Sequence, residues 1–100
     1  MINNQEIGAV AKALKNGQRA SRMDWAKRGE YIFRQVPSSI AMEVVPKMTS
    51  LPEAVKKSII NSELPPNYIN QIAYVGQNGD ISSYTFSAED ILADDWIILD

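Results

Sequence analysis

Four residues in the stretch SRMDWAKRGEY, at 21–31, have the composition of a nucleotide contact. Trp25 stands among Arg22, Lys27 and Arg28. An indole accepts a purine face, and such stacking is worth roughly 1–3 kcal/mol per base. The neighbouring cations suit phosphate, arginine best of all because its planar fork matches two phosphate oxygens. The alternative is architectural: Trp25 folds over a sheet edge and completes the core. A second chemical candidate is the acidic run Glu89, Asp90, Asp94, Asp95. It lacks the spacing and central glycine of a calcium loop, so it reads as a solvated helix end. Asp90 is set apart, because it follows a cap and precedes the apolar pair Ile91-Leu92.

Other chemistries are excluded by composition. The chain has no histidine and no cysteine, so it lacks the commonest general base, thiolate metal sites and disulfides. The five glycines are scattered and form no phosphate-cradling loop. Catalysis would have to rest on carboxylates, lysine or tyrosine, and the expectation is a protein that is not an enzyme and holds no metal or cofactor. The net charge of −2 hides an asymmetry: residues 1–34 carry seven basic and three acidic residues, residues 35–100 three basic and nine acidic. The basic part suits an anionic ligand, or the acidic remainder of the same or a neighbouring chain. Arg22 in particular has Asp90 and Asp95 as alternative partners within the fold.

The 100 residues suggest a single domain over 1–100, with a core thin enough that assembly would help. No apolar run approaches the roughly 18 residues of a membrane span. The start, MINNQEIGAV, lacks the basic and apolar regions of a secretory signal, and an intracellular site is the expectation.

The elements that must position these residues read as follows. Asn3 and Glu6 resemble a capping pair for a helix over about 4–16, with Ile7, Val10, Ala11 and Leu14 at helical spacing and Gly17 as the stop. That apolar stripe reads as core and not as a ligand groove. Residues 18–22 and 30–36 read as strands, with MDWAKRG as the hairpin connection and Trp25 near its tip. Residues 40–45 read as another short strand. Ser50-Leu51-Pro52-Glu53 reads as a capping box for a helix to about 61, with Leu51, Val55 and Ile59 on one face. Asn78-Gly79 predicts a two-residue hairpin loop. That register pairs Gln77 with Asp80, Ala73 with Tyr84, Val75 with Ser82 and Ile72 with Thr85. Ala73, Val75, Tyr84 and Phe86 then share one face, and Ile72, Tyr74 and Ile81 the other, so both faces want cover. Ser87 caps a short helix, and WIILD closes the chain as a strand. The fold class is α+β: an antiparallel sheet with an N-terminal helix and one or two short additional helices.

The order of these features resembles the second type of phage Thoeris anti-defence protein, a family of small nucleotide sponges. The matching residues are Leu14-Lys15-Asn16-Gly17 at the helix end, the Arg-x-x-Trp pair Arg22 and Trp25, and GEYIF running into Val36-Pro37-Ser38-Ser39. They continue with Tyr68, Ile72 and Asn78-Gly79, and end in SAEDILADDW at 87–96, the most specific of them. Two positions depart from the family pattern: Tyr84 stands where tryptophan is usual, and Ala26-Lys27-Arg28 where Asn-Gly-Lys is common. The resemblance implies capture, without cleavage, of a cyclic ADP-ribose isomer, and in some members cyclic oligonucleotides at a separate site. It implies a homo-oligomer, dimer or tetramer, in the cytoplasm of the infected bacterial host, with no membrane and no long nucleic acid as partner. Carried onto this chain, it makes Arg22, Trp25, Lys27, Arg28, Tyr84, Ser87 and Asp90 the ligand-binding candidates, with the indole on the base and Arg22 and Arg28 at the pyrophosphate. Two alternatives stand beside it: a structural protein acting only through its oligomer surface, and a carboxylate enzyme such as a small phosphodiesterase.

Overall fold

A strand at one end of the chain needs a partner before it can form, and here the two ends supply each other. In the computed structural model, which describes all of Met1–Asp100, β1 (Ile2–Gln5) pairs antiparallel with the last strand, Ile2 opposite Ile98 and Gln5 opposite Trp96. The expected helix start at Asn3 is therefore corrected. The ladder takes up the backbone of residues 2–5, and α1 (Ile7–Lys15) begins after Glu6, whose side chain makes no capping bond. The stop is as the sequence predicts. Gly17, at φ 78°, donates to Leu14 while Gln18 donates to Ala13, the paired bonds of a Schellman end.

The chain divides into two compact units, Met1–Gln35 with Asn70–Asp100, and Val36–Ile69. In the first unit β2 (Ala20–Arg22) leads into a single helical turn, α2 (Met23–Ala26), and then β3 (Tyr31–Gln35). MDWAKRG does connect the two strands, but as a helix closed by Gly29 at φ 75°, with Glu30 donating to the Trp25 carbonyl. Trp25 thus lies on a helical turn and not at a loop tip.

The second unit holds β4 (Ser38–Ser39), a 3₁₀ helix over Met42–Lys47, α3 (Glu53–Ser62) and β5 (Asn67–Tyr68), with β4 and β5 paired. No strand forms over residues 40–45, and those from Met42 onward are helical. The capping box also gives way. Pro52 is the residue before α3 and no side chain caps it. The buried residue of α3 is Lys56, whose ammonium donates to the Pro46 carbonyl at 3.2 Å and to Glu53. Val55 and Ile60 stay two-fifths exposed.

The first unit is completed by β6 (Gln71–Val75), β7 (Ile81–Ser83), α4 (Ala88–Leu92) and β8 (Trp96–Ile98). The six strands form one sheet in the order β1-β8-β2-β3-β6-β7. β8 lies inside it, so all three of its residues are buried. Val10, Ala13 and Leu14 of α1 pack on Ala20, Ile32, Trp96 and Ile98. Each Val, Leu or Ile among them contributes roughly 1.5–3 kcal/mol on full burial.

The β6–β7 hairpin corrects the predicted register by one residue. Gly76 donates to the Asp80 carbonyl and Gly79 to Gly76, with Gly79 at φ 85°. This is a three-residue loop, a turn followed by a left-handed glycine, and not a two-residue one. Ala73 now faces Ser83, Tyr74 faces Ser82 and Val75 faces Ile81. A one-residue slip exchanges faces. Tyr84 joins Ile72 and Tyr74 on the face that packs against the core, and Ile81 joins Ala73 and Val75 on the other.

Candidate functional site

Arg22 ends β2 directly opposite Trp96 of β8. Its Nη1 donates to Asp90 Oδ1 at 2.9 Å and its Nε to Asp95 Oδ1 at 2.5 Å. The guanidinium also lies over the Trp96 ring, 5.6 Å from its centroid. Of the partners open to Arg22, the fold uses the two aspartates. Asp90 is 5% exposed and accepts three bonds through its carboxylate: from Arg22, from the Tyr84 hydroxyl, and from the Ser87 N–H at 3.0 Å. Ser87 returns the bond by accepting from the Asp90 N–H, so the expected cap of α4 is present as a reciprocal box. The Trp96 Nε1–H donates to the Asp90 carbonyl at 2.8 Å. Burial raises the pKa of the Asp90 carboxyl, but the bonds from Tyr84, Ser87 and Arg22 outweigh it and hold the group below the usual carboxylate range. Burial, with the Asp90 bond and charge, pushes the Tyr84 hydroxyl well above its ordinary value.

Trp25 is half-buried and packs edge-on against three rings, Tyr74 at 5.2 Å, Trp96 at 5.3 Å and Tyr84 at 5.5 Å between centroids. Tyr74 and Tyr84 are stacked, 5.5 Å apart and 21° from parallel. Each tyrosine donates to a carboxylate that is held by an arginine: Tyr84 to Asp90 with Arg22, and Tyr74 to Glu30 with Arg28. Hydrogen bonds from Arg28 and then Tyr74 lower the Glu30 pKa.

Five of the seven sequence candidates therefore converge: Arg22, Trp25, Tyr84, Ser87 and Asp90. Arg28 reaches the cluster only through Glu30. Lys27 lies outside it, exposed and 3.8 Å from Asp24. The sequence reading missed Tyr74 and Glu30; for Tyr74 the misplaced register is the reason, since it put Tyr74 and Tyr84 on opposite faces, and Glu30 joins the cluster only through Tyr74 and Arg28. No three acidic side chains gather as a metal-binding group, and no helix is long and apolar enough to cross a membrane.

A concavity of about 650 Å³ opens beside this cluster. Its walls are Ile7, Ala11, Leu14 and Lys15 of α1, Arg34 of β3, Asn70, Gln71 and Ile72 at the start of β6, and Phe86. Part of the α1 stripe expected to be core lines this space: Ile7 and Ala11 form a row beside the buried Val10 and Ala13. None of the seven candidates lines it. Phe86 joins the two regions, packing edge-on to Tyr84 at 5.5 Å and to Trp96 at 5.8 Å while facing the cavity. The lining is apolar apart from Lys15, Arg34, Asn70 and Gln71, and it contains no carboxylate. Neither Lys15 nor Arg34 forms a salt bridge; Arg34 donates to the Asn70 amide oxygen at 3.2 Å.

No curated protein matches the chain. The family model of the Thoeris anti-defense 2-like domain matches residues 5–99, the span that contains the Arg22–Asp90–Asp95 ion pairs, the aromatic cluster and the cavity. The chain belongs to the Thoeris anti-defense 2-like family, which points to a role against Thoeris defence.

Proposed function

We propose that this protein captures a cyclic nucleotide signal, a cyclic ADP-ribose isomer, and holds it without cleaving it, in the cytoplasm of the infected host. The observation that supports this reading best is the cavity: about 650 Å³, with an aromatic wall at Phe86 and two cations, Lys15 and Arg34, without acidic partners. Small-ligand sites fall between about 300 and 1,000 Å³ and pair apolar walls with a few polar groups. A pyrophosphate-bearing ring brings two negative charges and a flat base, which suit the two cations and the phenyl face. In this reading the cluster of Trp25, Tyr74 and Tyr84 stands behind Phe86 as its support, and Arg22 is a structural cation.

Retention without cleavage accords with the groups present. A general base works best with a pKa near the operating pH. The chain has no histidine, and two carboxylates of the cluster, Asp90 and Glu30, are held ionised by hydrogen bonds; neither they nor Asp95 line the cavity.

Isothermal titration with cyclic ADP-ribose isomers tests the proposal. Saturable binding is expected, weakened at least tenfold by Phe86→Ala and by Lys15→Glu with Arg34→Glu, with intact ligand recovered on denaturation. A hydrolysed product would overturn retention. Absence of binding at ligand concentrations up to the millimolar range would return the protein to the alternative of acting through its oligomer surface alone.

A further inference from the structure

The polar side chains that line the cavity are Lys15, Arg34, Asn70 and Gln71, and their donors and acceptors restrict what the site can read. Lysine and arginine donate and never accept. Lys15 is the last residue of α1. Arg34 lies opposite Ile72 in the β3–β6 ladder, so both side chains leave the same face of the sheet. Its Nη2 donates to Asn70 Oδ1 at 3.2 Å. That bond positions the guanidinium and engages the amide oxygen, the acceptor that an adenine amine would need. Gln71 is exposed, and its amide can present either end. No hydroxyl and no carboxylate line the space. The main chain of α1 and of β3 against β6 is taken up by helix and ladder bonds, which leaves no row of carbonyls for a ligand.

A purine is told apart by its edge. Adenine carries an amine that needs an acceptor, hypoxanthine a carbonyl that needs a donor. A site built to hydrogen-bond a group rejects an analogue lacking it by about 10⁴-fold or more, whereas apolar walls discriminate by roughly a hundredfold at most. This lining holds no fixed, unengaged acceptor for the amine. The one adaptable group, the Gln71 amide, serves either purine by turning over. Phe86 offers the base only a face, and stacking tolerates a change of base because every base has a π-face. Phosphate is the opposite case. It accepts only, and Lys15 and Arg34 supply donors and positive charge together.

We propose that the cavity selects its ligand by phosphate charge and ring shape and leaves the edge of the purine unread, so that adenine- and hypoxanthine-bearing cyclic nucleotides are held alike. Arg34 is the specificity-determining residue, and Asn70 is its positioning residue. The proposal rests on the capture of a cyclic nucleotide in this cavity and deepens that reading. A signal that changed its base would not escape such a site.

Titration of each cyclic ADP-ribose isomer beside its hypoxanthine counterpart of the same linkage, a cyclic inosine diphosphate ribose, tests it. In the wild type the two Kd values are expected to agree within about threefold. Adenosine and inosine, which lack phosphate, are expected to bind at least about a hundredfold more weakly. Arg34→Gln should weaken both cyclic compounds by about tenfold or more and leave their ratio unchanged. Asn70→Ala should weaken both by about threefold or more in the wild type and cost nothing further in Arg34→Gln, because Asn70 acts through Arg34. A merely structural role would cost the same in both backgrounds. The wild-type ratio needs no variant, so a substitution that fails to fold does not obscure it. A preference of about thirtyfold or more for either purine, a ratio that shifts in Arg34→Gln, or nucleosides bound as tightly as the cyclic compounds overturns the proposal while capture stands. Failure of every isomer to bind overturns capture, and the proposal with it.

Discussion

Removing the Asp90 carboxylate should unfasten the C-terminal segment from the first strand pair. Asp90→Ala strips three donors of their acceptor at once. The Tyr84 hydroxyl and the Ser87 N–H lose a partner, and Arg22, whose side chain is 16% exposed, keeps only Asp95. Breaking a buried ion pair from one side costs about 3–5 kcal/mol, because the remaining charge is left uncompensated. The bond from Arg22 to Asp95 places the expected cost at the lower end, about 3 kcal/mol. For a domain of this size each kcal/mol moves the melting temperature by roughly 4–8 °C, so a fall on the order of 12–24 °C is expected. Asp90→Asn keeps the shape and one acceptor and should cost about half as much. Tyr84→Phe should cost about 1–2 kcal/mol in the wild type and close to nothing in Asp90→Ala, since its acceptor is already gone. Urea unfolding followed by tryptophan fluorescence and far-UV circular dichroism measures all four corners of the cycle. A loss under about 1 kcal/mol for Asp90→Ala, or full additivity with Tyr84→Phe, would refute the view that this ion pair and hydroxyl act as one unit.

Four further outcomes are expected. Asp90 and Glu30 are held below the usual carboxylate range, so the stability they contribute is complete above the unfolded-state value of about 4 and is lost as pH falls through their folded values; acid titration of Asp90→Asn should show a shallower loss. Tyr84 is held neutral in the fold, whereas the unfolded chain ionises it near pH 10, so stability should fall above about pH 10 and Tyr84→Phe should reduce that fall. Glu63 ends α3 in the left-handed region at φ 58°, ψ 23°, where glycine carries no Cβ penalty; thermal melts of Glu63→Gly should show a gain of about 0.5 kcal/mol, and a loss would mean that its side chain matters there. Trp25→Ala removes three edge-on ring contacts from a half-buried site, and a cost of about 2–3 kcal/mol is expected in urea titration, less than for a fully buried ring.

Signals carried by a few adjacent residues were legible without the structure. Gly17 as a helix stop, Ser87 as a cap and the strands on either side of MDWAKRG depend on local backbone geometry, and they formed as read. The failures differ in cause: one is a partner distant in sequence, the others are local alternatives of nearly equal fit. Asn3 looks like a helix cap until β8, more than 90 residues away, claims residues 2–5 as a strand. Ser50 fits a capping box, yet the backbone enters α3 through Pro52. The Asn-Gly pair correctly marks a turn, but one additional loop residue separates two hairpin types, and that residue decides which face Tyr84 occupies.

Residue chemistry by itself determined which groups this protein lacks and which function to expect. With no imidazole and no thiol, and with aromatic and basic residues close together, ligand capture was a better expectation than turnover. Only the tertiary structure decided which cations are free. Arg22 and Arg28 stand within three residues of Trp25 in the chain, but Asp90, Asp95 and Glu30 neutralise them in the fold. Lys15 and Arg34, unremarkable in sequence, both line the cavity, whose walls hold no carboxylate. Charge pairing acts over a few ångströms of space, and spacing along the chain does not report that distance.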